Sequence, residues 1–324
     1  MRIGIDVSPL RQTRAGTARY LRGLLPELER LVDVEPVAWG GSRKAATVAR
    51  DLWWYPLELP RRARGLDVLH CPSFRGPLRS STPLVLTVHD VAVLRHPDAF
   101  NRWTRTYSRA FVPRVVRAAR RVIAVSEFTK RELVDLLAIP EDRIRVIPNA
   151  VGEPFVPNGD RAEGEYVLAV GTREPRKNLA RLVRAAQLAG VELRVAGARG
   201  WGGADVRGDG VRVLGYVEDD ELARLYRGAL CVAYPSLYEG FGIPVLEALA
   251  CGAPVVTSAG TAMAEVADGA ALLVDPQDAN AIADGIREAI ARREELAALG
   301  PQRARAFTWQ AAAEATAAVY RELA

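Results

Sequence analysis

The chain has few residues suited to cross-linking or metal binding. It has three cysteines, Cys71, Cys231 and Cys251, an odd number with no CxxC spacing. That argues against a disulfide framework or a zinc knuckle and fits a reducing cytoplasm. No run of about 18 uncharged apolar residues occurs, so no membrane-spanning helix is expected. The opening MRIGIDVSPL lacks a long apolar core and carries Asp6, so it reads as a first strand and not as a signal peptide. Lysine is nearly absent. It stands only at positions 44, 130 and 177, three of 44 basic residues, which makes each one conspicuous. No G-x-x-x-x-G-K-[ST] is present, which excludes a P-loop enzyme, and no G-x-S-x-G elbow appears. GARGWGG at 197–203 follows a strand but lacks the dinucleotide-binding spacing.

What is there is enough apolar sequence for two cores: 324 residues, 49% hydrophobic. The net charge of +5 suits anionic ligands or an anionic membrane surface, but is too small to argue for nucleic acid. Short β-branched runs alternate with helical patterns throughout. Strands are expected at 2–7, 34–39, 67–70, 83–88, 121–125 and 143–147. A second series is expected at 165–170, 191–196, 211–214, 229–234, 253–257 and 270–274. Such alternation implies parallel sheets covered on both faces. The segment 148–165 is rich in Pro, Gly, Asn and charge without periodicity and reads as a linker. The expected division is 1–155, 156–306 and a last helix, 307–324, which Thr308 caps. Ligands of open α/β sheets bind beyond the carboxyl ends of the strands, so a cleft between two domains is the expected site.

The stretch YPSLYEGFGIPVLEALACGAPVVTS, Tyr234 to Ser258, sets one glutamate on each side of a glycine-containing turn. Pro244 suits the first position of the helix that follows. Gly240 and Gly242 permit close backbone approach, and the amides of Phe241, Gly242 and Ile243 point at an anion on the helix axis. Glu247, a turn into that helix, is placed to accept hydrogen bonds from sugar hydroxyls. The plainer alternative makes Glu247 a complement to the helix dipole and Glu239 a solvated side chain.

EGFGIPVLEALACGAPVV, with its E-x7-E spacing, resembles the donor-site signature of the retaining family 4 glycosyltransferases. VLAVGTREPRKNLARLV (167–183) is similar to that family's phosphate-neutralising segment. VIAVSEFTKRELV with RIRVIPNAV, and RIGIDVSPL with AGTARY, resemble the close and the opening of its N-terminal domain. The likeness spans nearly the whole chain. It implies an α/β GT-B fold: two Rossmann-like domains facing across a cleft, the first binding acceptor, the second binding a nucleotide sugar, with the C-terminal helix crossing back. It implies transfer of a sugar such as mannose or glucose from a nucleotide-sugar donor to an acceptor hydroxyl, with retention.

Residue by residue, the resemblance gives Glu247 to the ribose hydroxyls, Glu239 to the transferred sugar, and the amides of Gly240, Phe241, Gly242 and Ile243 to the diphosphate. Loss of a nucleoside diphosphate concentrates negative charge that something must stabilise. No DxD element is present, EDDE at 218–221 lacking that spacing, so no metal and no cofactor are expected. Lys177, with Arg173 or Arg176, supplies the fixed positive charge instead; the partner arginine stays open. Gly171 and Thr172 lead into this segment. Val217, beside Tyr216, lies where the base is cupped. His89, after the fourth strand, faces the donor sugar, and Gly16 approaches the diphosphate, although Ala18 replaces a second glycine common in the family. His70 reads as core.

DLWWYPLELPRRARG (51–65) and the arginine-rich 101–121 set aromatics beside basic residues, as at an anionic membrane interface. The alternative is core aromatics with a solvated arginine face. Expected partners are a nucleotide-sugar donor and a glycan, lipid-linked or small-molecule acceptor. The expected location is the cytoplasm, peripheral at the membrane. A sugar-nucleotide epimerase shares the GT-B fold, and a silent nucleotide-sugar binder is the non-enzymatic rival. The binder is disfavoured because Lys177, Glu239 and His89 occur together.

Overall fold

A computed structural model describes residues 1–12, 16–39, 48–100, 102–200 and 206–324. The chain separates into two compact units, Met1–Ala150 with Thr308–Ala324, and Val151–Phe307.

The first unit holds β1 (Arg2–Asp6), β2 (Asp33–Val37), β3 (Val68–Cys71), β4 (Leu84–Val88), β5 (Arg121–Ala124) and β6 (Ile144–Val146). They pair in parallel in the order β2-β1-β3-β4-β5-β6. Each expected strand is present, with ends shifted by no more than a few residues. The interior strands are apolar on both faces because helices cover both. Ile3, Ile5, Val68, Val85 and Ile123 meet Leu21, Leu24 and Leu28 of the Thr17–Leu28 helix.

The last helix, Trp309–Arg321, closes this core with Ala313, Ala317 and Tyr320. Its first amides are capped by Thr308, whose Oγ1 accepts from Ala311 N at 3.2 Å. A Cβ on Gly23 would lie 2.0 Å from the Trp309 indole, so only glycine lets the two helices approach this closely. Glu322 fastens the far end to Arg121 at 2.7 Å and Arg145 at 2.9 Å.

The second unit holds β7 (Tyr166–Val170), β8 (Glu192–Ala196), β9 (Val211–Gly215), β10 (Cys231–Tyr234), β11 (Val255–Ser258) and β12 (Leu272–Val274). Its parallel order is β12-β11-β10-β7-β8-β9. The order reverses between β7 and β10, which makes their carboxyl ends the topological switch point where open α/β sheets take ligands. Val167, Ala169, Leu193, Val195, Cys231 and Val256 pack with Leu182, Ile282 and Ile286 of the covering helices.

All three cysteines are buried and free. Among the described residues no helix is long and apolar enough to cross a membrane.

Candidate functional site

Two loops leave the switch point of the second sheet and are laced together. The first follows β7. Gly171 sits at φ +136°, and a Cβ on Gly197 would lie 2.0 Å from the Gly171 carbonyl oxygen, so the two backbones touch. A short 3-10 turn, Pro175–Lys177, then leads to Asn178 at φ +59° and the helix Leu179–Ala189. Asn178 Nδ2 donates to the carbonyls of Pro235 at 3.0 Å and Pro276 at 2.6 Å, tying this loop to those after β10 and β12. The Arg176 carbonyl accepts from Leu237 N at 2.8 Å and Ser236 Oγ at 2.9 Å.

Glu239 ends up at the centre of this seam. Its Oε1 accepts from Lys177 Nζ at 2.5 Å, Ser236 Oγ at 2.8 Å and Tyr234 Oη at 3.1 Å; its Oε2 faces Arg176 Nη1 at 2.9 Å. Lys177 also donates to the Tyr234 hydroxyl. Arg176 is held further by Glu174 at 3.1 Å and by the Tyr238 carbonyl at 3.1 Å.

One carboxylate shared by two cations makes the electrostatics lopsided. Burial alone would raise the Glu239 carboxyl. The Lys177 and Arg176 charges and the hydrogen bonds from Lys177 and Ser236 together outweigh it and bring it down to about 2. Lys177 gains from that single carboxylate, yet loses water and is repelled by Arg176, so its ammonium falls below the ordinary lysine value, burial being the main cause. Glu239 is therefore buried and ion-paired, which rules out the solvated side chain of the plainer alternative.

Arg173 differs from Arg176. Its backbone N–H is bonded to the Ala198 carbonyl at 3.2 Å, but its buried Nε has no hydrogen-bond partner among the described residues. Thr172, beside it, is half-buried.

The turn after Glu239 runs through buried Gly240 and Phe241 to Gly242, at φ +98°, which caps the helix Ile243–Ala250. Pro244 is the second residue of that helix, one place later than the sequence pattern suggests. Because Gly242 turns the chain immediately before Ile243, the helix starts one residue earlier. A Cβ on Gly242 would meet Met263 at 2.7 Å. The amides of Phe241, Gly242 and Ile243 donate to no acceptor among the described residues, an arrangement suited to an anion. Glu247 is 1% exposed, and Tyr226 donates to its Oε2 at 3.1 Å, which orients the carboxylate. Val217 lies half-buried just beyond β9, while Tyr216 is 47% exposed.

The remaining expected residues, His89 and Gly16, belong to the first unit. His89 directly follows β4. Its Nε2–H donates to the Pro72 carbonyl at 3.2 Å, which leaves Nδ1 as an acceptor, and its ring meets Tyr20 edge-on at 4.9 Å. Burial lowers its pKa below the ordinary 6.5, against the opposing pull of Asp90 and the Pro72 bond. Gly16, at φ +51°, precedes the Thr17–Leu28 helix, and its carbonyl accepts from Tyr20 N. His70 is a core residue, pinned by Tyr320 at 2.6 Å and Thr87 at 2.8 Å and pushed down to about 3 by burial.

The stretch 51–65 is mixed. Trp54 and Tyr55 are buried, whereas Leu52, Trp53 and Leu57 are exposed at 53%, 43% and 47%. Of 101–121, residue 101 lies outside the described residues; the helix Arg102–Ala118 buries Tyr107 and exposes Trp103 and most of its arginines.

Tyr234, Ser236, Tyr226 and Asn178 complete the site but were not singled out from the sequence. Tyr226 lies 21 residues from Glu247 and signals nothing locally; Asn178, just before a helix, carries a weak cap signal. Among the described residues no three His, Cys, Asp or Glu side chains gather as a metal would require.

Comparison with known proteins gives this arrangement its context. Residues 14–152 match the model of Glycosyltransferase Family 4, and residues 154–305 match that of glycosyl transferases group 1. The chain is 33% identical over 284 residues to O-antigen chain mannosyltransferase B of Escherichia coli, covering 79% of this chain and 74% of that protein. Sucrose-phosphate synthase from Thermosynechococcus elongatus superposes with TM-score 0.80 at 21% identity, over 100% of this chain and 99% of that one. Anabaena Alr3699/HepE in complex with UDP and glucose superposes with TM-score 0.73 at 18% identity, over 100% of both chains. At these identities the structural likeness shows the fold, which is the GT-B class expected from the sequence.

Proposed function

Because the chain belongs to glycosyltransferase family 4 and is a glycosyltransferase, we propose that it moves mannose from a nucleoside diphosphate donor to a hydroxyl of a glycan acceptor, with retention and without a metal ion. The mannosyl assignment follows the E. coli O-antigen relative, and the nucleotide donor follows the UDP-bound structure of the same fold.

The observation that carries the reading is the Lys177–Glu239–Arg176 cluster beside the open N-terminus of the Ile243–Ala250 helix. The leaving diphosphate gains charge as the glycosidic bond breaks. Preorganised cations and amides that need not reorient at that moment stabilise it best. Lys177 and the amides of Gly240 to Ile243 are given that task. Arg173 is the partner arginine, because Arg176 is already committed to Glu174 and Glu239 while Arg173 Nε has no partner.

Glu239, held ionised, can only accept hydrogen bonds, and so grips hydroxyls of the transferred sugar. Glu247, oriented by Tyr226, takes the ribose hydroxyls. Gly171 and Thr172 are given the phosphates through backbone and Val217 the base; for Gly16 and His89, which belong to the first unit, the roles remain those the family resemblance implies. No protein nucleophile is assigned; retention follows the family resemblance.

The exposed Leu52, Trp53 and Leu57, beside Arg61 and Arg62, are the part of 51–65 suited to an anionic membrane surface.

The test is calorimetry of the purified protein against GDP-mannose, UDP-glucose and UDP-galactose, followed by mass spectrometry and anomeric proton NMR of the transfer product. A mannosylated product with the donor's α configuration supports the reading. Donor cleavage with inversion, or interconversion of free sugar nucleotides, contradicts it.

A further inference from the structure

The turn that offers its amides to the diphosphate cannot hold itself in place. The amides of Phe241, Gly242 and Ile243 make no internal bond among the described residues, and Gly242, at φ +98°, has no side chain to pack. Donors that stabilise a developing charge must be fixed before the charge appears. The turn is held from behind. The buried Phe241 ring meets the Phe307 ring edge-on, with centroids 5.9 Å apart. Met263, fully buried, lies so close to Gly242 that a Cβ there would come within 2.7 Å of it.

Both contacts lead to Arg303, on the helix Arg293–Ala304. Met263 belongs to the short helix Ala262–Ala267, whose last four carbonyls need partners from outside the helix ladder. Ala264 O accepts from Asp268 N at 3.0 Å, and Ala267 O from Ala270 N at 2.8 Å. The other two, Glu265 O and Val266 O, accept from Arg303 Nη2 at 2.8 Å and Nε at 2.9 Å. The same guanidinium lies over the Phe307 ring, 4.8 Å from its centroid. One flat fork therefore closes the helix that carries Met263 and covers the ring that backs Phe241. The Asp268 carboxylate, 3.3 Å from Arg303, is 71% exposed and adds little. The support beneath Arg303 is firm. A Cβ on Gly300 would lie 2.8 Å from Leu249 O, so its helix rests directly on Ile243–Ala250, the helix that the turn begins.

The structure assigns Arg303, acting through Phe307 and Met263, as the positioning residue for the diphosphate-binding amides. All of these residues belong to the second unit. The inference rests on the reading of that turn as the diphosphate site, and it names what keeps the turn in its working geometry.

Two variants of the full chain test it. Arg303→Met keeps much of the side-chain length and loses the fork. Phe307→Leu keeps apolar bulk and loses the ring face between Arg303 and Phe241. GDP and UDP are titrated by calorimetry. Guanosine and uridine, which carry no phosphate, are titrated by ligand-observed NMR. Turnover is measured with whichever of GDP-mannose, UDP-glucose and UDP-galactose the wild type uses. In each variant, affinity for the nucleoside diphosphate is expected to fall about tenfold and kcat about 10- to 100-fold, while nucleoside affinity is unchanged. A merely structural role would lower Tm but leave the ratio of diphosphate to nucleoside affinity at its wild-type value. Should Arg303→Met fail to fold, Phe307→Leu decides by the same measurements. A wild-type ratio with wild-type kcat, or equal losses for nucleoside and diphosphate, would overturn the inference. Failure of the wild type to bind either diphosphate would instead sink the functional reading beneath it.

Discussion

Lys177 Nζ stands 2.5 Å from Glu239 Oε1 although 62 residues separate them, because the loops after β7 and β10 are bonded to each other on both sides of the pair. The contact matters for chemistry because it fixes an ammonium beside the open end of a helix before any donor arrives. Lys177→Ala is expected to lower kcat at least about 100-fold, the scale for losing one preorganised charge-stabilising donor. Steady-state assays with saturating donor measure it; unchanged kcat would remove Lys177 from the mechanism.

Arg173 and Arg176 are expected to part ways. Arg173→Ala should reduce kcat with Tm nearly unchanged, since its Nε makes no internal hydrogen bond among the described residues. Arg176→Ala should lower stability by about 2 kcal/mol, the value of hydrogen bonds to a charged group, since it strips Glu239 and Glu174 of a shared partner. Thermal denaturation and kinetics of both variants decide the matter. The reverse pattern would move the phosphate role to Arg176.

Acid stability should report on Glu239. Its folded pKa of about 2 lies below the ordinary 4.5, so the stabilisation is fully present above about pH 4.5 and is lost as pH falls toward 2. The amount at stake is about 3 kcal/mol at most. Urea melts of wild type and Glu239→Gln between pH 7 and 3 should converge as acid is added. Parallel curves over that range would mean that Glu239 is not held ionised by its neighbours.

Glu247 should govern affinity more than rate. Glu247→Gln is expected to weaken donor binding about tenfold by calorimetry, and Tyr226→Phe by less, because Tyr226 only orients the carboxylate. Intact donor affinity in Glu247→Gln would contradict the ribose role.

Flotation with anionic vesicles tests the membrane surface. Wild type is expected to float and Leu52→Ser/Trp53→Ser/Leu57→Ser to remain behind. Equal recovery of both in the float would remove that segment as the docking surface.

Much of the fold could be read from pattern because the period of two in strands and of 3.6 in helices is local information. The strands ending at Asp6, Val170 and Tyr234 announce themselves through β-branched runs. The glutamates flanking Gly240 and Gly242 were readable for the same reason, since turn chemistry is local. What stayed hidden is what depends on strand order. Sequence spacing does not reveal that Lys177 and Arg176 share one carboxylate, that Tyr226 reaches Glu247, or that Arg173 lacks a partner. The first follows from β7 and β10 being neighbours in the sheet, a pairing between segments about 60 residues apart, and the second from packing of the Asp219–Gly228 helix on the Ile243–Ala250 helix. For Trp54 and Tyr55 the sequence left interface and core readings side by side, because the π-helical turn that buries them has no sequence signature.

The central claim is that protein-borne positive charge at Lys177 and Arg173, and not a divalent cation, carries the departing diphosphate. Its most direct test is the initial rate of sugar transfer by the purified wild type in excess EDTA, compared with the rate in millimolar magnesium or manganese. Equal rates are predicted. Activity that vanishes in EDTA and returns only with the metal would contradict the account.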